Sequence, residues 1–184
     1  MDAGMTEDRV IFRRSVDGEH RPLRVLGFGL ALAVFAIDQL VKYWIIHIVQ
    51  LRELGFVDVW PVMNLIWVEN AGVSLGMFNA GTELSRWLLV LATGGISAAV
   101  GVWLWRERNR LDVVALGLVL GGAVGNILDR VRFGYVVDFI HVFWGSFDFK
   151  YVFNVADAAI TLGVGLLLLR ALMRDDGQPK VESE

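Results

Sequence analysis

Four long apolar stretches constrain this chain more than any other feature of its sequence. They run from Leu23 to Val49, from Arg86 to Trp105, from Leu111 to Val131 and from Val152 to Met173. Each reaches the roughly 20 residues that a helix needs to cross the hydrocarbon core of a bilayer. The 184 residues are 55% hydrophobic, which is too apolar for a soluble domain of this size. The pattern predicts an all-α integral membrane protein with one bundle of four transmembrane helices.

The first apolar stretch is expected to remain in the mature chain. It is longer than the apolar core of a cleavable signal peptide, and it contains Asp38 and Lys42. The predicted organisation is an N-terminal tail over residues 1–22, a single transmembrane domain over residues 23–173 and a C-terminal tail over residues 174–184.

The distribution of basic residues predicts which side of the membrane each segment faces. Eleven of the 17 Lys and Arg residues lie in the two tails, at the inner ends of the spans, or in the hinge between the second and third spans. By the positive-inside rule, both termini and this hinge are cytoplasmic. The connections over residues 50–85 and 132–151 then face outward. Their Val, Ile, Phe and Trp content predicts a small β-like segment and an interfacial loop.

Polar residues inside the spans are predicted to meet at one depth. At about 1.5 Å of rise per residue, Asp38 and Asn126 both lie roughly 21 to 22 Å from the cytoplasmic side. Asp157 lies roughly 8 Å below the outer surface of a core about 30 Å thick. All three positions fall in the outer leaflet, which predicts a polar chamber within reach of outside water.

Helical spacing predicts that each span directs one polar stripe inward, because residues three or four apart share a face. The pairs and triplets with this spacing are Asp38 with Lys42, Asn126 with Asp129 and Arg130, and Asn154 with Asp157. Gly117, Gly121 and Gly125 repeat every four residues and predict a close helix contact.

The residue types limit the chemistry that this chamber could support. The chain has no cysteine, none of its three histidines lies in a recognisable serine-protease setting, and neither a zinc HExxH motif nor a phosphate-binding glycine loop occurs. Asp138 and Asp157 remain, on either side of a short aromatic segment. Two carboxylates that share a proton can activate water against a peptide carbonyl. An aspartic hydrolase without metal or cofactor is therefore the leading hypothesis.

Five motifs occur in a specific order along the chain. They are DQLVK at Asp38–Lys42, NAGVS at Asn70–Ser74, GGAVGNILDR at Gly121–Arg130, VVDFI at Val136–Ile140 and FNVADAAI at Phe153–Ile160. Together they closely resemble the motifs of the prolipoprotein signal peptidases, the type II signal peptidase family of bacterial membrane aspartic peptidases. The resemblance covers about Leu32 to Leu168. One position departs from the family pattern, because Leu75 stands where an aromatic residue is often found.

The resemblance implies a monomeric endopeptidase of the bacterial inner membrane, with its site near the periplasmic face. Its substrates would be diacylglyceryl-modified prolipoproteins, cut just before the lipidated cysteine, and its other partners membrane lipids rather than nucleic acid. Asp138 and Asp157 would be the catalytic pair. Supporting roles would fall to Asp38, Lys42, Asn70, Gly72, Asn126, Asp129, Arg130, Asn154 and Ala156.

Simpler interpretations of these residues remain open. Asn154 and Asp157 have the spacing of a helix cap, Asp38 and Lys42 that of a structural pair, and Asn70 could be an ordinary turn residue. Arg130 could complement a helix dipole, and the glycines could serve packing alone. Two other classes of protein also fit buried charges: a small proton-coupled transporter and a noncatalytic assembly factor. A transporter needs a polar path to both sides, whereas LGFGLALAVFA and LGLVLGG contain no ionisable group.

Overall fold

The computed structural model describes residues 4–72, 83–144, 147–148 and 151–175, with side chains described in residues 22–72, 83–143 and 151–173. Its helices are α1 (Gly4–His47), α2 (Leu51–Leu54), α3 (Glu83–Arg106), α4 (Arg110–Phe133) and α5 (Val155–Asp175). Four segments are long and apolar enough to cross a membrane: Pro22–His47, Glu83–Arg106, Arg110–Phe133 and Val155–Met173. The predicted class, a four-helix membrane protein with a small β segment, is confirmed.

The boundaries of the first and last helices differ from those that hydropathy predicts. Helix α1 extends back to Gly4, through most of the polar segment assigned to the N-terminal tail. Helix α5 begins at Val155, so the predicted start of the fourth span at Val152 was wrong. Before α5 the chain pairs with a β-strand, where Phe153 and Ile140 exchange backbone hydrogen bonds. The side chains of Val152 and Phe153 are as apolar as those of a membrane span, although the helix begins only at Val155.

The connections between the first and second spans and between the third and fourth spans contribute to one antiparallel sheet. Its strands are β1 (Phe56–Trp60), β2 (Met63–Asn70), β3 (Val136–Trp144) and the two-residue β4 (Phe147–Asp148), in that spatial order. Strand β2 pairs with β3 so that Val68 lies opposite Asp138 and Asn70 lies opposite Val136. Side chains alternate along a strand, so Asn70, Val136 and Asp138 lie on one face. The sequence predicts the strands, but not that segments 68 residues apart pair with each other.

Helix α4 packs against the other three spans and approaches two of them at backbone contact. A Cβ atom on Gly121 would lie 2.4 Å from the carbonyl oxygen of Ala31 in α1, and one on Gly122 would lie 2.4 Å from that of Ala156 in α5. Such separations leave no room for a side chain. Small residues let helix backbones approach closely in membranes, and here they bring the polar faces of α1, α4 and α5 together.

Apolar side chains fill the bundle near the hinge between α3 and α4. Leu104 of α3 packs with Val113 and Leu116 of α4, and all three are fully buried. A second buried cluster lies under the sheet, where Ile45 at the end of α1 contacts Val137 and Phe139 of β3. Asp38, Asn126 and Asp129 therefore lie between two apolar layers.

We predict that Gly121→Ala destabilises the protein by about 1 to 3 kcal/mol, the usual effect of overpacking. Its Cβ would meet the backbone of α1 rather than a flexible side chain. Gly95→Ala is the matched control, since nothing lies within 4 Å of the corresponding position on α3. Thermal unfolding in detergent compares the two variants. Equal melting temperatures would contradict the close α1–α4 contact.

Candidate active site

Asp138 and Asp157 reach the candidate site from different kinds of secondary structure. Asp138 lies in β3 and is only 1% exposed. Asp157 lies in the first turn of α5 and is half-buried. The Ile140–Phe153 backbone pairing ties the strand to the segment that leads into the helix. It fixes the strand that bears one carboxylate to the start of the helix that bears the other.

Asn154 joins the two carboxylates. Its side-chain nitrogen donates to Asp138 Oδ1 at 2.7 Å, and its side-chain oxygen accepts from the backbone N–H of Asp157 at 2.8 Å. The Asp157 carboxylate in turn accepts a longer bond, 3.4 Å, from the Asn154 backbone N–H. This reciprocal pattern is a helix cap of the capping-box type. Asn154 therefore caps α5 and orients Asp138 at the same time.

Asn126 of α4 provides a second link between the carboxylates. Its side-chain nitrogen donates to Asp157 Oδ1 at 2.7 Å, while its oxygen accepts from Asn154 at 3.2 Å. A continuous path of amide hydrogen bonds thus runs from Asp138 through Asn154 and Asn126 to Asp157. A neutral amide holds a carboxylate in place without supplying a compensating charge.

Asn70 holds the other oxygen of Asp138. It donates to Asp138 Oδ2 at 2.9 Å, and its own side-chain oxygen accepts from the Gly72 backbone N–H at 2.8 Å. Gly72 has φ +82°, a left-handed conformation that favours glycine. Asn70 is therefore both a turn residue and a direct partner of Asp138.

Lys42 forms an ion cluster with Asp38 and Asp129. Its ammonium lies 2.8 Å from Asp38 Oδ2 and 2.7 Å from Asp129 Oδ2, and all three side chains are at most 2% exposed. It also donates to Asn126 at 3.3 Å. This confirms the expected Asp38–Lys42 pair and adds Asp129, a partner that helical spacing within α1 cannot reveal.

The carboxylates of this cluster also bind backbone groups of the elements that carry the acid pair. Asp38 Oδ1 accepts from the Ala156 backbone N–H at 3.0 Å, and Asp129 Oδ2 accepts from the Val137 backbone N–H at 3.2 Å. Ala156 and Val137 each immediately precede one of the two candidate catalytic aspartates. The cluster therefore fixes the backbone beside both aspartates.

Gln39 is a member of the network to which the sequence analysis gave no role. Its side-chain nitrogen donates to Asp129 Oδ1 at 3.0 Å and to Asp38 Oδ2 at 3.2 Å. The signals in the sequence are its polar side chain within the apolar first span and its place in the motif DQLVK. Residues 38 and 39 do not share a helix face, so spacing argued against a common role.

Arg130 lies beside Gly72 at the edge of the acid pair. A Cβ atom on Gly72 would lie 3.4 Å from the Arg130 guanidinium. Arg130 also interacts electrostatically with Asp157, Asp138 and Asp129. Its guanidinium donates a 3.4 Å bond to the Asn126 carbonyl, and its Nε is buried without a hydrogen-bond partner among the described residues. A cation with spare donors therefore faces the aspartates.

Burial raises the pKa of Asp138 to about 6. The negative charge of Asp157 also raises this pKa, while the hydrogen bonds from Asn70 and Asn154 and the charge of Lys42 lower it. A carboxyl with such a pKa can hold a proton under mildly acidic conditions and exchange it near neutrality. Such a group is suited to general acid catalysis.

The structure brings together every residue that the sequence analysis assigned to the site. All eleven belong to the network around Asp138 and Asp157 or touch it directly. Val73, Ser74 and Leu75 lie outside the described residues. Within the described ranges, no group of three or more His, Asp or Glu residues is arranged to hold a metal ion.

Comparisons with known proteins agree with one another. The family model for signal peptidase (SPase) II matches residues 30–173. A lipoprotein signal peptidase of Rhizorhabdus wittichii is 52% identical over 165 residues, covering 90% of this chain and 93% of the relative. That of Sphingopyxis alaskensis is 48% identical over 166 residues, covering 85% and 95%.

Solved structures show the same similarity in three dimensions. A bacterial membrane enzyme determined by the in meso method superposes with a TM-score of 0.68 at 27% identity, covering 86% of this chain and 94% of that enzyme. A second such structure gives 0.68 at 30% identity, covering 80% and 92%. The chain spans almost the whole length of these proteins, and it is a peptidase that belongs to the signal peptidase II family.

Proposed function

We propose that this protein is an aspartic endopeptidase that removes the signal peptide from diacylglyceryl-modified prolipoproteins, just before the lipidated cysteine. The observation that carries the proposal is the pair of carboxylates joined by Asn154 and Asn126. The relatives named lipoprotein signal peptidase support the substrate class. The raised pKa of Asp138 supports an aspartic mechanism.

In this mechanism the aspartates act as base and acid. Asp157 lies in the first turn of α5 and acts as the base. It takes a proton from water as the water oxygen attacks the peptide carbonyl. Asp138 gives its proton to the carbonyl oxygen as the tetrahedral intermediate forms. As the intermediate collapses, the C–N bond breaks, Asp138 takes back a proton from one of the two hydroxyl groups, and the proton held by Asp157 passes to the leaving amine.

The site is proposed to face the periplasm from the inner membrane of a bacterium. The basic residues of the tails and of the α3–α4 hinge support cytoplasmic termini. The polar network then lies at the outer ends of the spans, where water is available. Since one chain supplies every member of the network, we propose a monomer.

The apolar packing of the bundle disfavours the transporter alternative. Leu104, Val113 and Leu116 close the space between the polar network and the cytoplasmic ends of the helices. Backbone contact at Gly117, whose Cβ would lie 2.7 Å from the carbonyl of Gly27, leaves no room for water on that side of α4. A noncatalytic assembly factor would have no use for a buried acid pair, and loss of cleavage on substitution distinguishes it.

We predict that Asp138→Asn and Asp157→Asn each reduce cleavage of a lipid-modified prolipoprotein at least about hundredfold, because either change ends proton transfer between the pair. The asparagine side chain keeps the volume of aspartate, so both variants should still fold. Asp58→Asn, at an exposed position of β1 in the same sheet, is the matched control. Cleavage by purified protein in detergent is the measurement, and appreciable turnover by either variant would refute the pair.

We predict that Asn70→Ala raises the pKa of Asp138 above its value of about 6. The hydrogen bond from Asn70 stabilises the charged carboxylate and so lowers this pKa, and its loss favours the protonated form. Infrared spectroscopy across pH follows the carboxylic acid band, assigned by its absence in Asp138→Asn. Asn64→Ala, on the same strand, should leave the titration in place. A downward shift in Asn70→Ala would contradict the assignment.

We predict that a precursor without its diacylglyceryl group is cleaved poorly, mainly through a higher KM. Acyl chains that stay in the lipid phase contribute about 0.8 kcal/mol per buried CH₂ to membrane attachment. This holds the scissile bond at the depth of the acid pair. Matched lipidated and unlipidated precursors in proteoliposomes give the comparison. Equal kcat/KM for the two would rule out the lipid dependence without affecting the acid pair.

A further inference from the structure

A second cavity, of about 370 Å³, lies behind the sheet and away from the acid pair. Its wall includes Val137 and Tyr135 of the β3 region. Because neighbouring side chains of a strand point to opposite faces, Asp138 points away from this cavity. Its volume falls within the range of small-molecule sites, about 300 to 1,000 Å³. The proposed peptidase mechanism makes no use of it.

The position of the cavity places it at the membrane surface. It is lined by His47, the last residue of α1, and by Phe133, the last residue of α4. The exposed apolar side chains of Tyr43 and Trp44 lie one turn earlier on α1, within the span. A molecule in the cavity could therefore place a polar group among the loop residues and apolar chains along the helices.

Charges of both signs surround the cavity. Arg52 and Glu53 of the short helix α2 line it, and both are exposed. Arg52 lies 3.0 Å from Glu69, whose carboxylate also accepts from Trp67 Nε1 at 3.2 Å. Exposed ion pairs of this kind contribute little to stability. The Arg52 guanidinium can therefore turn to an incoming anion at small cost.

Aromatic side chains form the remaining walls. Trp67, Phe133 and Tyr135 line the cavity on the side of the sheet. Aromatic faces attract cations, most strongly when water is excluded. Burial and the charge of Glu69 raise the pKa of Tyr135, so its hydroxyl stays protonated and donates to that carboxylate. The Glu53 carboxylate and the three aromatic rings together favour a cationic group.

We propose that this cavity binds the headgroup of a zwitterionic phospholipid that carries a phosphate and a primary ammonium. The phosphate would contact Arg52, and the ammonium would contact Glu53 between the aromatic walls. An anionic lipid is disfavoured, because Glu53 and Glu69 would repel it. A quaternary ammonium is disfavoured because it has no N–H group to donate to a carboxylate.

Native mass spectrometry of the full-length protein in detergent tests this proposal. The probes are phosphatidylethanolamine, phosphatidylcholine and phosphatidylglycerol with identical acyl chains. The variants are Arg52→Gln and Glu53→Gln. Arg108→Gln is the matched control, because it removes an exposed charge in the α3–α4 hinge at the other end of the bundle. Melting temperatures without added lipid verify that each variant folds.

We expect the two variants to change lipid binding in different ways. The wild-type protein should bind phosphatidylethanolamine about tenfold more tightly than phosphatidylcholine, the effect of one charge-assisted hydrogen bond. Glu53→Gln should weaken binding of phosphatidylethanolamine to the level of phosphatidylcholine, whereas Arg52→Gln should weaken both. Equal binding of the two lipids by the wild-type protein, preference for phosphatidylglycerol, or binding by both variants at the Arg108→Gln level would overturn the proposal. None of these outcomes bears on prolipoprotein cleavage.

Discussion

The buried ammonium of Lys42 between the carboxylates of Asp38 and Asp129 is the interaction on which the site depends. Removing charges from water costs several kcal/mol per ion, and the cost is offset only when partners are close and remaining acceptors are satisfied. Both conditions hold, since the carboxylates also accept from the backbone N–H groups of Ala156 and Val137. Losing one partner of such a cluster typically costs about 3 to 5 kcal/mol. The cluster therefore links α1, α4, β3 and α5 as one unit.

The acid pair is held by neutral groups, although a full positive charge lies nearby. Asn70, Asn126 and Asn154 supply the short hydrogen bonds to Asp138 and Asp157. If an ammonium bound them directly, it would favour both anions and suppress the acid. Amides orient the carboxylates and leave burial as the largest influence on the pKa of Asp138, which it raises. The charged cluster thus fixes the geometry, and in the proposed mechanism the amides preserve the difference between acid and base.

Residue spacing and depth predicted much of this site, because both are local properties of a helix. The pairing of Asp38 with Lys42 and the common level of Asn126 and Asp157 follow from about 1.5 Å of rise per residue. The remaining contacts depend on the meeting of distant segments. The β2–β3 register places Asn70 beside Asp138, and local spacing does not predict this register. Local spacing also does not predict that the backbone N–H groups of Val137 and Ala156 donate to the charged cluster. The role of Gln39 was missed for a related reason, because its shorter hydrogen bond is to Asp129 on another helix.

Glycine packing explains why the polar network can exist at one level of a thin bundle. At Gly121 and Gly122 the backbone of α4 touches both α1 and α5, so the short side chains of aspartate and asparagine can bridge the helices. Larger residues there would separate the helices and leave buried polar groups without partners, at about 1 to 3 kcal/mol each. Below this level, Leu104 and Leu116 exclude water. Hydrolysis needs water on one side only, and the same close packing that assembles the acid pair closes the other side.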